Sequence, residues 1–209
     1  MHTFRTRRRE SYGRDVSHIQ VSSQTEKDVD FFERSGIISG FTLVLQSNFV
    51  LLSRERKVVK ISGLLEKDKI RLSMVSTDKK GAIRELGELL RDSPAMVNYE
   101  EFIRGVFDRE EVATTGVGDE MAIPHARTDA VKEFVIAAGR SEGGIDFGSS
   151  DGKPARLIFL LATPKNQVPQ YLQILAHLAR LLKKLSFRGD LLSAKTPEDI
   201  IRTFREAEL

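Results

Sequence analysis

Apolar residues recur at helical spacing in "KKGAIRELGELLRD", where Ile83, Leu86, Leu89 and Leu90 line one face. The pattern predicts a helix with Thr77 as N-cap and Asp78 in the first turn, where a carboxylate favours the helix dipole. Ser93-Pro94 closes it, because the residue before a proline is driven out of helical geometry. Ahead of this helix, "KISGLLEKD" reads as a short turn followed by a strand around Ile70–Met74. A second helix is predicted from Tyr99 to about Glu111, with Phe102, Ile103, Val106 and Phe107 turned inward.

Further along the pattern changes. "FVIAAGR", "GIDFG" and "ARLIFLLATP" read as strands. "LIFLLA" is apolar at successive positions, so both of its faces are covered and it belongs at the centre of a sheet. Gln170–Leu185 predicts a well-buried helix, with leucines on more than one face. Ser186-Phe187 opens a short helix. "TPED" opens the last one, with Thr196 as N-cap, Pro197 in the first turn and Asp199 completing a shortened capping box. Helices thus alternate with strands over residues 59–209, which predicts an α/β sandwich.

Residues 1–58 break this regularity. Their strongest apolar stretch, "GIISGFTLVLQSNFVLL" (Gly36–Leu52), is short for a membrane span and is interrupted by Gln46, Ser47 and Asn48. It reads as two short strands around a turn. Arg5, Arg7, Arg8 and Arg9 are not followed directly by an apolar core, so no signal peptide is expected. Residues 1–58 are therefore expected to be an irregular basic extension: an upstream region translated from a mis-assigned start, or a poorly ordered tail. A basic arm for an acidic partner is a further reading.

Composition narrows the function. With 40% hydrophobic and 30% charged residues, the chain is of ordinary globular type. It has no cysteine, which excludes disulfides, thiol catalysis and zinc–thiolate sites and fits a reducing compartment. The formal net charge of +3 comes entirely from residues 1–58, because residues 59–209 carry equal numbers of basic and acidic side chains. A nucleic-acid role for the main domain is disfavoured, since phosphate-backbone affinity needs a clustered cationic face. No histidine pair has helical metal-ligand spacing, and no metal site is expected.

The candidate chemistry lies in "DREEVATTGVGDEMAIPHA". Gly116 and Gly118 allow a tight turn with exposed N–H groups. Thr114 and Thr115 offer hydroxyls, and Arg109 a planar fork suited to phosphate oxygens. Pro124 stiffens the approach to His125. An imidazole with an ordinary pKa of about 6.5 is mostly neutral near pH 7 and carries a free lone pair. Its attack on a phosphoryl group gives a phosphohistidine, leaving positioning and charge stabilisation to the protein. The plainer reading makes His125 a turn residue after proline, and the glycine pair matches neither a dinucleotide fingerprint nor a P-loop.

"TTGVGDEMAIPHA", with Arg-Glu upstream, resembles the phosphorylation-site signature of the phosphotransferase-system (PTS) enzyme IIA domain of fructose/mannitol type, a family that includes a nitrogen-regulatory branch. The resemblance covers roughly residues 60–209. It takes in "KISGLLEKDKI", "GIDFGSSDGKPARLIFLLATP" and "LQILAHLARLL". It implies a mixed, mostly five-stranded sheet flanked by helices on both faces, in a cytoplasmic phosphotransferase component that needs no cofactor. His125 matches the histidine that accepts a phosphoryl group from HPr or its nitrogen-branch counterpart. Arg109 matches the arginine that stabilises the phosphorylated site, and Thr115 with Gly116–Gly118 matches its anion lining. The implied downstream partner is an enzyme IIB domain, or a transporter, kinase or transcription regulator controlled by the phosphorylation state.

Two positions depart from the family pattern. Tyr171 stands where a second active-site histidine is common; a phenol still donates a hydrogen bond to a phosphoryl oxygen but carries no positive charge. Glu120 stands where glycine is usual, and its carboxylate is expected to face solvent. These departures keep open an alternative, a regulatory binding module that is never phosphorylated. His177 lies about 240° around the helix from Tyr171 and is expected to pack or face solvent. His2 and His18 receive no role.

Overall fold

The computed structural model describes residues 59–209. The expectations for the N-terminal extension, including Gly36–Leu52, lie outside the described residues. A 3-10 turn (Ile61–Gly63) leads into β1 (Leu65–Arg71), then helices α1 (Lys79–Arg91) and α2 (Tyr99–Val112). Three short strands follow: β2 (Gly116–Gly118), β3 (Met121–Ala122) and β4 (His125–Thr128). Two long strands, β5 (Val135–Ile145) and β6 (Ala155–Pro164), precede the closing helices α3 (Val168–Lys183), α4 (Leu185–Ser193) and α5 (Pro197–Ala207).

The sheet runs β1-β5-β6-β3-β2, with β4 also paired to β6. It is mixed: β1 is parallel to β5, β5 antiparallel to β6, and β3 and β4 both parallel to β6. β3 and β4 share one lane. Met121 and Ala122 pair with Leu157 and Ile158, and after Ile123-Pro124 the pairing resumes at His125 opposite Leu161. Proline has no N–H for the ladder, so the lane is cut there. Five lanes are thus made by six strands.

Apolar alternation on the two central strands builds two cores. Ile136, Phe159 and Leu161 face one side, under Leu178 and Leu182 of α3, Phe187 of α4 and Phe204 of α5. Ala137, Ile158 and Leu160 face the other, under Ile83, Leu86 and Leu90 of α1 and Phe102 and Val106 of α2. This is the expected three-layer sandwich. Phe204 meets Phe159 and Phe187 edge-on at 5.8 and 5.0 Å between centroids, an arrangement that rings prefer to face-to-face stacking. No helix among the described residues is long and apolar enough to cross a membrane.

The boundaries hold corrections. The first strand is Leu65–Arg71, not Ile70–Met74. It pairs only with β5, is polar and exposed at positions 66–68, and shifts register between Leu65 and Ile70, so apolar alternation does not mark it. The cap of α1 is Asp78 rather than Thr77: the carboxylate accepts from Gly81 N at 2.9 Å. "GIDFG" forms no strand of its own; β5 runs to Ile145 through a register shift at which Gly144 takes φ 73°. The last helix starts as expected. Thr196 Oγ1 accepts from Asp199 N, and Asp199 Oδ2 accepts from Thr196 N at 2.9 Å.

Candidate functional site

The interrupted lane explains how His125 is held. Outside the ladder, Ile123 donates its N–H to the Thr115 carbonyl at 2.9 Å and turns its own carbonyl toward the imidazole. His125 Nδ1 donates to Ile123 O at 2.7 Å. A carbonyl only accepts, so the proton sits on Nδ1 and the lone pair on Nε2. His125 is 4% exposed, and Nε2 is buried without a hydrogen-bond partner. Among the described residues only two other buried side-chain atoms share that condition, Ser149 Oγ and Arg156 Nε.

Burial pushes the imidazole pKa down to about 4. The nearby positive charges of Arg109 and Arg127 push the same way, and the Ile123 carbonyl opposes them. The ring is therefore neutral at pH 7, with an available nucleophilic nitrogen.

His125 lines a small pocket together with Arg109, Thr114, Thr115 and Val117, among others. Arg109 lies in the last turn of α2 and is anchored by Nη1 donating to the Ala113 carbonyl at 2.9 Å. The threonine hydroxyls already have partners. Thr114 Oγ1 donates to the Phe147 carbonyl and accepts from Gly116 N. Thr115 Oγ1 donates to Glu110 Oε2 at 2.6 Å, while Glu110 also holds Lys79 at 2.9 Å. The threonines and the Gly116 N–H thus fix the loop's shape rather than present free donors.

Gly116 has no room for a side chain, because a Cβ there meets Ser149 Oγ at 2.4 Å. Gly118, at φ 81°, enters a tight hairpin whose central residues Asp119 and Glu120 both have positive φ, 55° and 64°. That is type I′ geometry, in which glycine is favoured at the second central position. Glu120 occupies it. Its side chain is 41% exposed and lies 3.8 Å from Arg156 Nη1.

Tyr171, in α3, brings its ring to 5.6 Å from the imidazole, tilted by 52°. Burial raises its phenol pKa against the pull of Arg109 and Arg127, so the hydroxyl stays protonated. His177 faces elsewhere: Nε2 donates to Glu208 Oε1 at 3.0 Å. The sequence reading missed Arg127, whose guanidinium lies 5.5 Å from the centre of the Tyr171 ring. The signal was the period of two along β4, which places Arg127 on the same side as His125. Among the described residues no cluster of three or more His, Cys, Asp or Glu side chains is arranged to hold a metal ion.

Comparison with known proteins identifies the family. Residues 63–207 match the family described as "Phosphoenolpyruvate-dependent sugar phosphotransferase system, EIIA 2". A fructose-specific EIIA component of Haloferax volcanii is 37% identical over 143 residues, covering 68% of this chain and 93% of that protein. The fructose-specific EIIABC component of Bacillus subtilis is 35% identical, but the match, 68% of this chain, spans only 22% of its length. The crystal structure of nitrogen regulatory protein IIA-Ntr from Neisseria meningitidis superposes with a TM-score of 0.65 at 32% identity, covering 69% of this chain and 98% of that one. The chain belongs to the EIIA 2 family of the phosphoenolpyruvate-dependent sugar phosphotransferase system.

Proposed function

We propose that His125 is a phosphoryl acceptor, loaded from phospho-HPr or a nitrogen-branch counterpart and unloaded onto an enzyme IIB domain. The carrying observation is the buried, unpartnered Nε2, whose lone pair is defined by the Nδ1–Ile123 hydrogen bond. In the transfer, Nε2 attacks phosphorus in line. The Nε2–P bond forms as the donor's N–P bond breaks, and that bond's electron pair stays on the donor nitrogen. The proton on Nδ1 remains hydrogen-bonded to Ile123 O, so the developing positive charge on the ring is shared with a carbonyl dipole. Arg109 stands at the pocket to meet the phosphoryl oxygens. Thr114, Thr115, Gly116 and Gly118 keep the loop in the shape that admits them. The phosphoryl arrives already activated on nitrogen, so the exchange calls for no nucleotide or metal.

A second reading keeps the chemistry and changes its use. Phosphorylation adds about −2 charge at one site, enough to make or break contact with a regulated protein. The nitrogen regulatory protein among the structural relatives supports it. One experiment tests both. Enzyme I with HPr, or the nitrogen-branch pair, and labelled phosphoenolpyruvate are incubated with the protein and with His125→Ala, and a fructose-type enzyme IIB is then added. Acid-labile label on the wild type alone supports the acceptor. Its departure to enzyme IIB supports a carrier, and its retention supports a signal. No label on the wild type with either donor branch overturns the acceptor and leaves the unphosphorylated binding module.

A further inference from the structure

Successive side chains of a strand alternate between faces, so His125 and Arg127 leave β4 on the same side. Tyr171 of α3 touches both, with its centroid 5.6 Å from the imidazole centroid and 5.5 Å from the guanidinium carbon of Arg127. A guanidinium over an aromatic face at this distance is held by the ring quadrupole. Arg127 is exposed, and among the described residues no carboxylate pairs with it. The acidic residue two positions on, Asp129, pairs with Lys165 at 3.3 Å. Glu110, which holds the loop at Thr115, is occupied by that threonine and Lys79. An uncompensated cation is therefore held on a ring that itself abuts the buried imidazole.

We infer that Arg127 is a second cationic contact for a phosphoryl group on His125, and that Tyr171 is the residue that positions it. The inference rests on the reading of His125 as acceptor. It gives the tyrosine a different part from a hydrogen-bond donor. A histidine at 171 brings a charge only when protonated, whereas the ring of Tyr171 holds a guanidinium, a planar fork suited to phosphoryl oxygens. Charged and titratable groups approach the imidazole from three elements: Arg109 from α2, Arg127 from β4 and Tyr171 from α3. Arg109 and Arg127 supply two forks for the phosphoryl oxygens. As the Nε2–P bond forms and the donor's N–P bond breaks, negative charge moves into their field. Charge-assisted hydrogen bonds from such forks are among the strongest a protein makes.

The test uses the full chain and measures two quantities: the single-turnover rate of transfer from phospho-HPr to His125, and the lifetime of the phosphohistidine. Arg127→Gln is expected to slow transfer about tenfold and to shorten the lifetime, while Arg127→Lys retains the rate within about threefold. Tyr171→Phe keeps the ring face and stays near wild type. Tyr171→Ala falls as far as Arg127→Gln, and the double variant falls no further, because both act through one cation. The exposure of Arg127 predicts melting temperatures close to wild type for the Gln and Lys variants, which separates this role from a structural one. Transfer by Arg127→Gln within twofold of wild type overturns the inference while leaving the acceptor intact. So does a loss in Tyr171→Phe equal to that in Tyr171→Ala, which assigns the effect to the hydroxyl. Absence of label on the wild type removes the acceptor itself, and the inference with it.

Discussion

Protonating His125 should destabilise this protein over a defined pH window. The imidazole is 4% exposed and is held neutral, with its pKa pushed from 6.5 to about 4 by burial first and by Arg109 and Arg127 second. In the unfolded chain the same group takes up a proton near pH 6.5. Between these two values the unfolded state binds one more proton than the folded state. Stability therefore falls as pH falls through the window, at up to ~1.4 kcal/mol per pH unit, and is fully present above pH 6.5. The whole window corresponds to a loss on the order of 3 kcal/mol, a large share of the roughly 5–15 kcal/mol that holds a domain of this kind together. His125→Asn removes the titrating group and retains a polar side chain. Urea unfolding of both proteins from pH 4.5 to 8, followed by circular dichroism, gives two stability curves. Carboxylates with lowered pKa values, such as Glu88 and Asp199 at about 2, titrate in both proteins and cancel in the difference. The expected difference curve bends below pH 6.5 in the disfavour of wild type. Parallel curves would refute the claim that the fold holds this imidazole neutral. Nitrogen-detected NMR at pH 7 should also show the proton on Nδ1.

The hairpin offers a backbone test: Glu120 at φ 64° carries a cost that glycine avoids, about 1–2 kcal/mol in this region. Glu120→Gly should be more stable than Glu120→Ala by about 1 kcal/mol in urea titration, and equal midpoints would contradict the assigned turn strain. Gly116→Ala forces a Cβ to 2.4 Å from Ser149 Oγ and 3.1 Å from Phe147 Cβ, so it should cost about 1–3 kcal/mol and slow phosphoryl acceptance, read by thermal melting and by labelling. Glu208, whose side chain is 2% exposed, accepts from Ile61 N, Ser62 N and Ser62 Oγ at 2.6, 3.1 and 2.6 Å. Glu208→Ala leaves these donors with no carboxylate and should cost about 2–3 kcal/mol, with faster hydrogen exchange at the Ile61 and Ser62 amides as the local readout.

The sequence by itself determined the layers. "LIFLLA" reads as a strand covered on both faces, and the Ile83–Leu90 and Phe102–Val106 stripes read as helices with one buried side, as the structure has them. The Thr196–Asp199 capping box was legible because its partners lie within one turn. His125, Arg109 and the glycine loop could be proposed as one candidate site because they lie in one local segment. Tertiary structure decided what depends on partners far along the chain. β1 exists because β5 offers it a ladder, and its polar run gives no periodic sign of this. The sharing of one lane by β3 and β4 follows from their common partner β6. Thr114 and Thr115 read as free donors until Phe147 and Glu110 were found to hold them. Arg127 gained its place only when α3, more than forty residues away in the chain, brought Tyr171 across β4. The neutrality of His125 was set in the same way. An isolated imidazole titrates near pH 6.5, and it is burial in the tertiary structure, aided by two arginines and only partly opposed by the Ile123 carbonyl, that withdraws its charge.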